Sequence, residues 1–260
     1  MKHMKALLLL VTIAFLTIDC SKKAEIADTN FHESKSCVDT AVDISQPPIK
    51  YSLSETFSLI PERKEKFKNT LELSLAIRNI QSNLVADKSQ KTNNFDIIAY
   101  FTNISSSSII IRIPQTIGFV SDPGISEGAN FDLTIHLHDK DGNPIGALNS
   151  YAGLDEKKVT EKDFVFLKPN DVFCIPIKSD LPTIFIDNVG YYSLPNGTYL
   201  LSVGYENYMI GYSVPATEIP PSNLGFIDES DWHLTHDKQA DINAWIGRTI
   251  SSRTRFDISD

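Results

Sequence analysis

The chain has 260 residues, of which 42% are hydrophobic and 22% are charged, a composition typical of globular proteins with a sizeable core. Its formal net charge is −9 at pH 7. Because an acidic chain is repelled by phosphate groups, this charge excludes nucleic acid and anionic lipid headgroups as expected partners.

The first residues have the pattern of a secretory signal. Lys2, His3 and Lys5 form a basic start, and Ala6 to Ile18 is a run of apolar residues and threonine. A membrane-spanning helix needs about 20 such residues, so this run is short for a span and suits the hydrophobic region of a signal peptide. We expect residues 1–19 to be that signal peptide.

The apolar run leads into Ile18-Asp19-Cys20, followed by Ser21-Lys22-Lys23. This junction resembles a bacterial lipoprotein signal. The resemblance implies that Cys20 is lipidated and becomes the new N-terminus. It also implies a location in the cell envelope, lipid-anchored and facing the periplasm or the cell surface. Plain secretion and an uncleaved anchor are the alternatives, because Asp19 is not the small residue that such signals place before the cysteine.

Residues 20–50 are polar, mixed in charge and closed by Pro47-Pro48, which predicts a flexible tether between the lipidated Cys20 and the folded domain. Cys37 lies in this tether, and Cys174 lies in a predicted strand. An oxidising periplasm would permit a disulfide between them. A buried free thiol at Cys174 is the alternative.

From residue 51 onwards, short alternations of apolar and polar residues are separated by turn signals such as Pro195-Asn196-Gly197. We expect about nine short strands, beginning with an edge strand over residues 51–60, with a charged turn over 61–66 and an irregular segment over 181–194. One apolar face of each strand points inward. The predicted core consists of Leu71, Leu73, Leu75, Ile77, Phe95, Ile97, Phe101, Leu133, Ile135, Leu137, Tyr199, Leu201 and Val203.

Short strands at regular spacing, without a convincing helical period, predict an all-β fold. The expected architecture is an antiparallel immunoglobulin-like β-sandwich with Greek-key connections, formed as one domain by residues 51–260.

Several short turn-and-strand landmarks occur in series between residues 95 and 258. They are Thr102 to Ser105, Phe131 to Leu133, Asp141-Gly142, Phe166 to Asp171, Leu194 to Tyr199, Ala244 to Gly247 and Ser251-Ser252. Their order resembles that of bacterial immunoglobulin-like domains, including the intracellular proteinase inhibitor family. The resemblance supports the fold and implies one alternative function, peptidase inhibition.

Two histidine pairs are candidates for metal binding. His136 and His138 share a strand face opposite Leu133, and we expect that face to be polar surface. His233 and His236 lie in the acidic region 228–237, which suggests a second alternative function, a metal-dependent hydrolase.

The connection from Glu206 to Ala244 is far longer than a hairpin loop, which commonly has about two to five residues. It is rich in aromatic residues and stiffened by prolines, so we predict a recognition surface here. The candidate binding residues are Tyr208, Tyr212, Phe226, Trp232, His233, His236 and Trp245. The competing interpretation is that Trp232 and Trp245 close the end of the core.

The sequence contains no nucleophile elbow, phosphate-binding loop or paired zinc-binding cysteine motif. We therefore expect a protein that is not an enzyme and has no cofactor. The predicted function is that of an envelope lipoprotein whose immunoglobulin-like domain binds another envelope protein or supports an envelope assembly.

Overall fold

The computed structural model describes residues 21–26, 37, 48–83, 93–120, 131–148, 159–180, 183–186, 189–191, 194–214 and 238–259. The elements up to residue 148 are β1 (Ser21–Ile26), β2 (Ile49–Tyr51), α1 (Leu53–Lys66), β3 (Leu71–Asn83), β4 (Asn93–Asn103), β5 (Ile109–Arg112), β6 (Ile117–Phe119), β7 (Leu133–Asp139) and β8 (Gly146–Leu148). A short 3-10 helix at Glu161–Asp163 comes next. It precedes β9 (Phe164–Leu167), β10 (Val172–Asp180), β11 (Thr183–Ile186), β12 (Val189–Tyr191), β13 (Gly197–Asn207), β14 (Gly211–Val214), β15 (Lys238–Asp241), β16 (Gly247–Ile250) and β17 (Thr254–Ile258).

The largest sheet has the strand order β10-β4-β3-β1-β17-β13-β7-β6, and β16 pairs with β13 beside this path. Within the described residues its neighbouring strands are antiparallel, except that β6 runs parallel to β7. Three small sheets accompany it, with the orders β12-β11-β8, β14-β15-β2 and β5-β9. The predicted all-β, antiparallel fold class is confirmed.

The core lies between the two halves of the large sheet. β3 contacts β13, β16 and β17, although its hydrogen-bonded neighbours are β1 and β4, so the sheet folds back over its own apolar face. Of the thirteen predicted core residues, the twelve with described side chains are buried. The side chain of Phe95 lies outside the described residues. Burial follows the period-2 alternation because each of these strands turns one face inward.

The helix α1 overturns the prediction of an edge strand over 51–60 and a charged turn over 61–66. The helix begins with a capping box: the Ser52 backbone N–H donates to Glu55 Oε2 at 2.8 Å, and Ser52 Oγ accepts from the Glu55 N–H. The Ser52 backbone N–H and the Ser52 hydroxyl, which also donates to Glu55 Oε2 at 2.7 Å, lower the pKa of the Glu55 carboxyl. Arg63, Lys64 and Lys66 in the last turn suit the negative end of the helix dipole.

Two segments expected to lack regular structure contain strands. The region 181–194 includes β11 and β12, which pair with each other while β11 also pairs with β8. The long connection after residue 206 includes β14 and β15, which form a sheet with β2. The pairings of β11 with β8 and of β15 with β2 join residues far apart in the chain. Such strands leave little local pattern, because pairing rather than propensity stabilises them.

The segment expected to be a tether contributes two ordered features. Ser21–Ile26 is β1, which lies between β3 and β17 in the large sheet. Cys37 forms a disulfide with Cys174 of β10, and its backbone bridges Val172. Of the two possibilities for these cysteines, the structure therefore has the disulfide.

Among the described residues, no helix combines the length and the apolar character that crossing a membrane requires. The expected signal peptide and Cys20 lie outside the described residues.

Candidate binding cleft

Three of the predicted binding residues, Tyr208, Tyr212 and Trp245, are described. Phe226, Trp232, His233 and His236, together with the whole acidic region 228–237, lie outside the described residues. Tyr208 is 44% exposed, whereas Trp245 is 3% exposed. The structure thus separates one exposed aromatic residue from two that lie in hydrophobic clusters.

Trp245 belongs to the main core. Its ring stacks on Tyr205 with 5.5 Å between the centroids, and its Nε1 donates to Thr70 Oγ1 at 3.1 Å. Tyr212 belongs to a second cluster with Phe164 and Ala240. The burial of Trp245 fits its part of the alternative in which Trp232 and Trp245 close the end of the core, and Trp232 lies outside the described residues.

The Tyr212 hydroxyl is also engaged. It donates to Glu161 Oε1 at 2.8 Å. Burial, with the hydrogen bond to Glu161 as a second cause, raises the pKa of Tyr212 to about 12. Tyr212 therefore remains a neutral donor that joins β14 to the short 3-10 helix.

A cleft of about 360 Å³ lies beside Tyr208, at the end of β13 and the start of β7. The lining includes the turn Glu206 to Met209 and the side chains of Phe131, Thr134 and His136. Arg112 and Arg248 complete it. The lining combines aromatic rings, a thioether, guanidinium groups and carboxylates.

Asn207 fixes the turn that carries Tyr208. Its side chain is 2% exposed, and its Nδ2 donates to the carbonyl oxygens of Met209 at 3.1 Å and Trp245 at 2.6 Å. Its Oδ1 accepts from the Met209 N–H at 3.0 Å. Because both ends of the amide are used, the turn is held to the core instead of moving independently.

Tyr208 is further oriented by its neighbours. Its hydroxyl donates to the Glu206 carboxylate, and Lys64 Nζ of α1 lies 4.3 Å from the centroid of its ring. The second contact is a cation–π interaction between the helix and the cleft rim. The ring is therefore exposed to solvent and yet held from two directions.

An ion pair between Arg112 and Asp132 stabilises another part of the cleft lining. Arg112 Nη1 lies 2.8 Å from Asp132 Oδ1, and Asp132 Oδ2 accepts from the backbone N–H groups of Gln115 and Thr116. The Tyr205 hydroxyl donates to the Arg112 carbonyl at 2.7 Å, and burial raises the pKa of that hydroxyl far above its ordinary value. This part of the lining is stabilised by paired charges, and both oxygens of the Asp132 carboxylate already have partners.

The prediction that His136 and His138 form polar surface is wrong, because both are buried, at 2% and 3% exposed. His136 Nε2 lies 2.9 Å from Thr134 Oγ1. His138 has its pKa lowered mainly by burial and then by the charge of Arg253. The alternation of side chains along β7 correctly places these histidines on the face opposite Leu133. It does not reveal whether the rest of the protein covers that face.

Other residues important to the cleft escaped the sequence reasoning. Arg112 and Asp132 lie on different elements, so only the fold brings them together. Asn207 has a usable signal in the sequence, because an asparagine at the end of a strand is a common start of a side-chain-capped turn. Among the residues that the structure describes, no cluster of three or more histidine, cysteine or acidic side chains could hold a metal ion.

No protein-family model matches the chain, and no curated protein matches it in sequence.

Proposed function

We propose that this chain is a non-enzymatic lipoprotein of the cell envelope whose immunoglobulin-like β-domain binds another envelope protein at the Tyr208 cleft. The observation that carries the proposal is that Asn207 holds the exposed Tyr208 ring at the cleft rim. A side chain that is ordered before binding loses little conformational entropy when a partner arrives, and this favours affinity.

The residue types around the cleft suit protein recognition. Tyrosine, arginine and methionine are enriched at protein interfaces relative to other surfaces. Tyr208 offers a broad ring, Met209 adapts to the shape of its neighbour, and Arg248 carries an exposed guanidinium. The matching partner surface inserts an apolar side chain into the cleft and places a carboxylate near Arg248.

Two observations support the envelope location. The junction before Cys20 resembles a lipoprotein signal. The disulfide between Cys37 and Cys174 is of a kind that persists in oxidising compartments and is rare in the cytosol.

Photo-crosslinking in intact cells tests the binding role. The photoreactive residue p-benzoylphenylalanine replaces Tyr208 in one variant, Arg248 in a second, and Lys178 in a control. Lys178 is an exposed residue of β10, and its side chain is 62% accessible. We expect the two cleft variants to give the same crosslinked species and the control to give none. Absence of a crosslink at both cleft positions, or the same species from Lys178, contradicts the proposal.

Cell fractionation tests the lipid anchor separately. Cys20→Ser removes the acceptor thiol, so the variant should move from the membrane fraction to the soluble envelope fraction. Membrane association that is unchanged by the substitution would count against the lipoprotein assignment.

A further inference from the structure

The path of β1 relates the expected lipid anchor to the sheet. β1 runs antiparallel to both of its neighbours: Ser21 pairs with Asn83 at the end of β3, and Ala24 pairs with Ile258 at the end of β17. The start of β1 therefore lies at the end of the sheet where β3 and β17 finish. We call this end, defined by Ser21, Asn83 and Ile258, the anchor pole.

The cleft lies at the other end of the same sheet. Gly197, the first residue of β13, pairs with Ile258, whereas Asn207, the last residue of β13, lines the cleft. Ten residues separate these two positions, and a strand rises about 3.3 Å per residue, so the cleft lies about 33 Å from the anchor pole. We call the cleft end, defined by Leu133, Asn207 and Gly247, the cleft pole.

No residues lie between the acceptor Cys20 and the first residue of β1, so the linker from the anchor to the sheet is very short. Cys20 is bonded directly to Ser21, and consecutive Cα atoms are about 3.8 Å apart. The first half of β1, Ser21 to Lys23, pairs with β3, and its second half, Ala24 to Ile26, pairs with β17, so freeing β1 would break both pairings. A flexible tether of thirty residues would leave the domain free to rotate, whereas a strand that begins at residue 21 restricts it.

The charge of the protein does not attract the anchor pole to lipid headgroups. Lys140 and Asp141 lie in the turn after β7 at the anchor pole, where they contribute opposite charges. The chain as a whole is acidic, at −9. Attachment therefore depends on the acyl group and not on electrostatic attraction to anionic headgroups.

We propose that the lipidated protein stands upright on its membrane, with the anchor pole at the headgroups and the cleft facing away from them. This inference rests on the proposed lipidation of Cys20. It restricts the partner to an envelope protein whose contact surface lies about 33 Å from the anchoring membrane. A partner anchored in the same membrane contacts the cleft only through a part that projects about this far from the membrane.

Energy transfer from the protein to labelled lipid tests this orientation. The acylated chain, which begins at Cys20, is reconstituted into phosphatidylethanolamine and phosphatidylglycerol vesicles that contain rhodamine-labelled lipid. A donor dye is attached through p-azidophenylalanine at Lys140 or at Arg248, which leaves the disulfide intact. We expect transfer to be several-fold stronger from position 140 than from position 248. Equal transfer, or stronger transfer from position 248, overturns the orientation.

A second experiment tests the orientation independently of whether the native chain is lipidated. A chain that begins at Cys20 is coupled through that thiol to a maleimide lipid, and the same two dye positions are compared. If the native chain proves to lack an acyl group, by mass spectrometry of its N-terminal peptide, the proposed function fails. The coupled chain still reports whether attachment at Cys20 sets the orientation. Equal transfer from the two positions of the coupled chain refutes the geometric argument directly.

Discussion

Asn207 Nδ2 donates a 2.6 Å hydrogen bond to the carbonyl oxygen of Trp245, a residue 38 positions further along the chain. The same side chain exchanges hydrogen bonds with the backbone of Met209. One buried amide thus connects the cleft rim, through the Trp245 backbone, to the ring stack between Trp245 and Tyr205 in the core. The same amide therefore holds the proposed binding surface and stabilises the core.

Asn207→Ala should destabilise the protein by about 1–3 kcal/mol, because the Trp245 carbonyl and the Met209 backbone lose buried partners. Urea denaturation measures this loss. The control is Glu62→Ala at an exposed position of α1, which should stay within about 0.5 kcal/mol of the wild type. Equal losses in the two variants would show that the Asn207 hydrogen bonds carry no special weight.

Gly204→Ala should also destabilise the protein, since a Cβ there would lie 2.6 Å from Thr134 Oγ1 and 3.2 Å from His136 Nε2. Overpacking of this kind costs about 1–3 kcal/mol. Thr134→Ala removes the nearest atom, so the double variant should be more stable than the sum of the two single losses predicts. Thermal or urea denaturation of all four proteins gives the coupling energy, and strictly additive losses would contradict the steric explanation.

Reduction of the disulfide should lower the free energy of unfolding by about 2–5 kcal/mol. Cys37 and Cys174 are separated by 137 positions, so the bond excludes many extended conformations of the unfolded chain. The measurement compares urea denaturation with and without reductant. A variant with serine at both positions should show no response to reductant. A wild-type stability that reductant does not change would argue against the bond.

The strong alternations were enough to predict the framework. In β3, β7 and β13, apolar residues at every second position lie on a buried face, so composition and pattern agree with the fold. The helix α1 was missed because it buries little apolar surface: Phe57 is 68% exposed, and Pro61 lies inside the helix. Its capping box, Ser52 with Glu55, was the one local signal available.

Of the candidate site, the sequence predicts only residues whose type alone indicates a binding role. Tyr208 was found as an aromatic residue in a long connection, and it does line the cleft. The pairing of Arg112 with Asp132 and the burial of His136 depend on how separate strands pack. No local pattern encodes such contacts, because they are set by tertiary geometry.

Protein stability should fall on mild acidification because of His138. Burial first, and then the charge of Arg253, lower the pKa of His138 below its ordinary value of 6.5, against an opposing effect of Asp139. The unfolded chain therefore binds a proton more readily than the folded one. The stabilising contribution is complete above pH 6.5 and is lost as the pH falls from there towards the lowered pKa.

Urea denaturation across this pH range, with His138→Gln as the comparison, measures the effect. The variant should lose less stability on acidification than the wild type. Arg253→Gln should also reduce the dependence, because it removes the second cause of the shift. Identical pH profiles for the wild type and His138→Gln would disprove the assignment.

Tyr208→Ala and Phe57→Ala form a matched pair for the binding role. Both residues are exposed aromatics, at 44% and 68%, so each substitution should change the free energy of unfolding by no more than about 0.5 kcal/mol. Tyr208 lines the cleft, whereas Phe57 is absent from its lining. We therefore expect Tyr208→Ala, and not Phe57→Ala, to abolish the crosslink formed from position 248 in intact cells. A crosslink that survives Tyr208→Ala would remove Tyr208 from the interface, and one lost equally in both variants would move the interface towards α1.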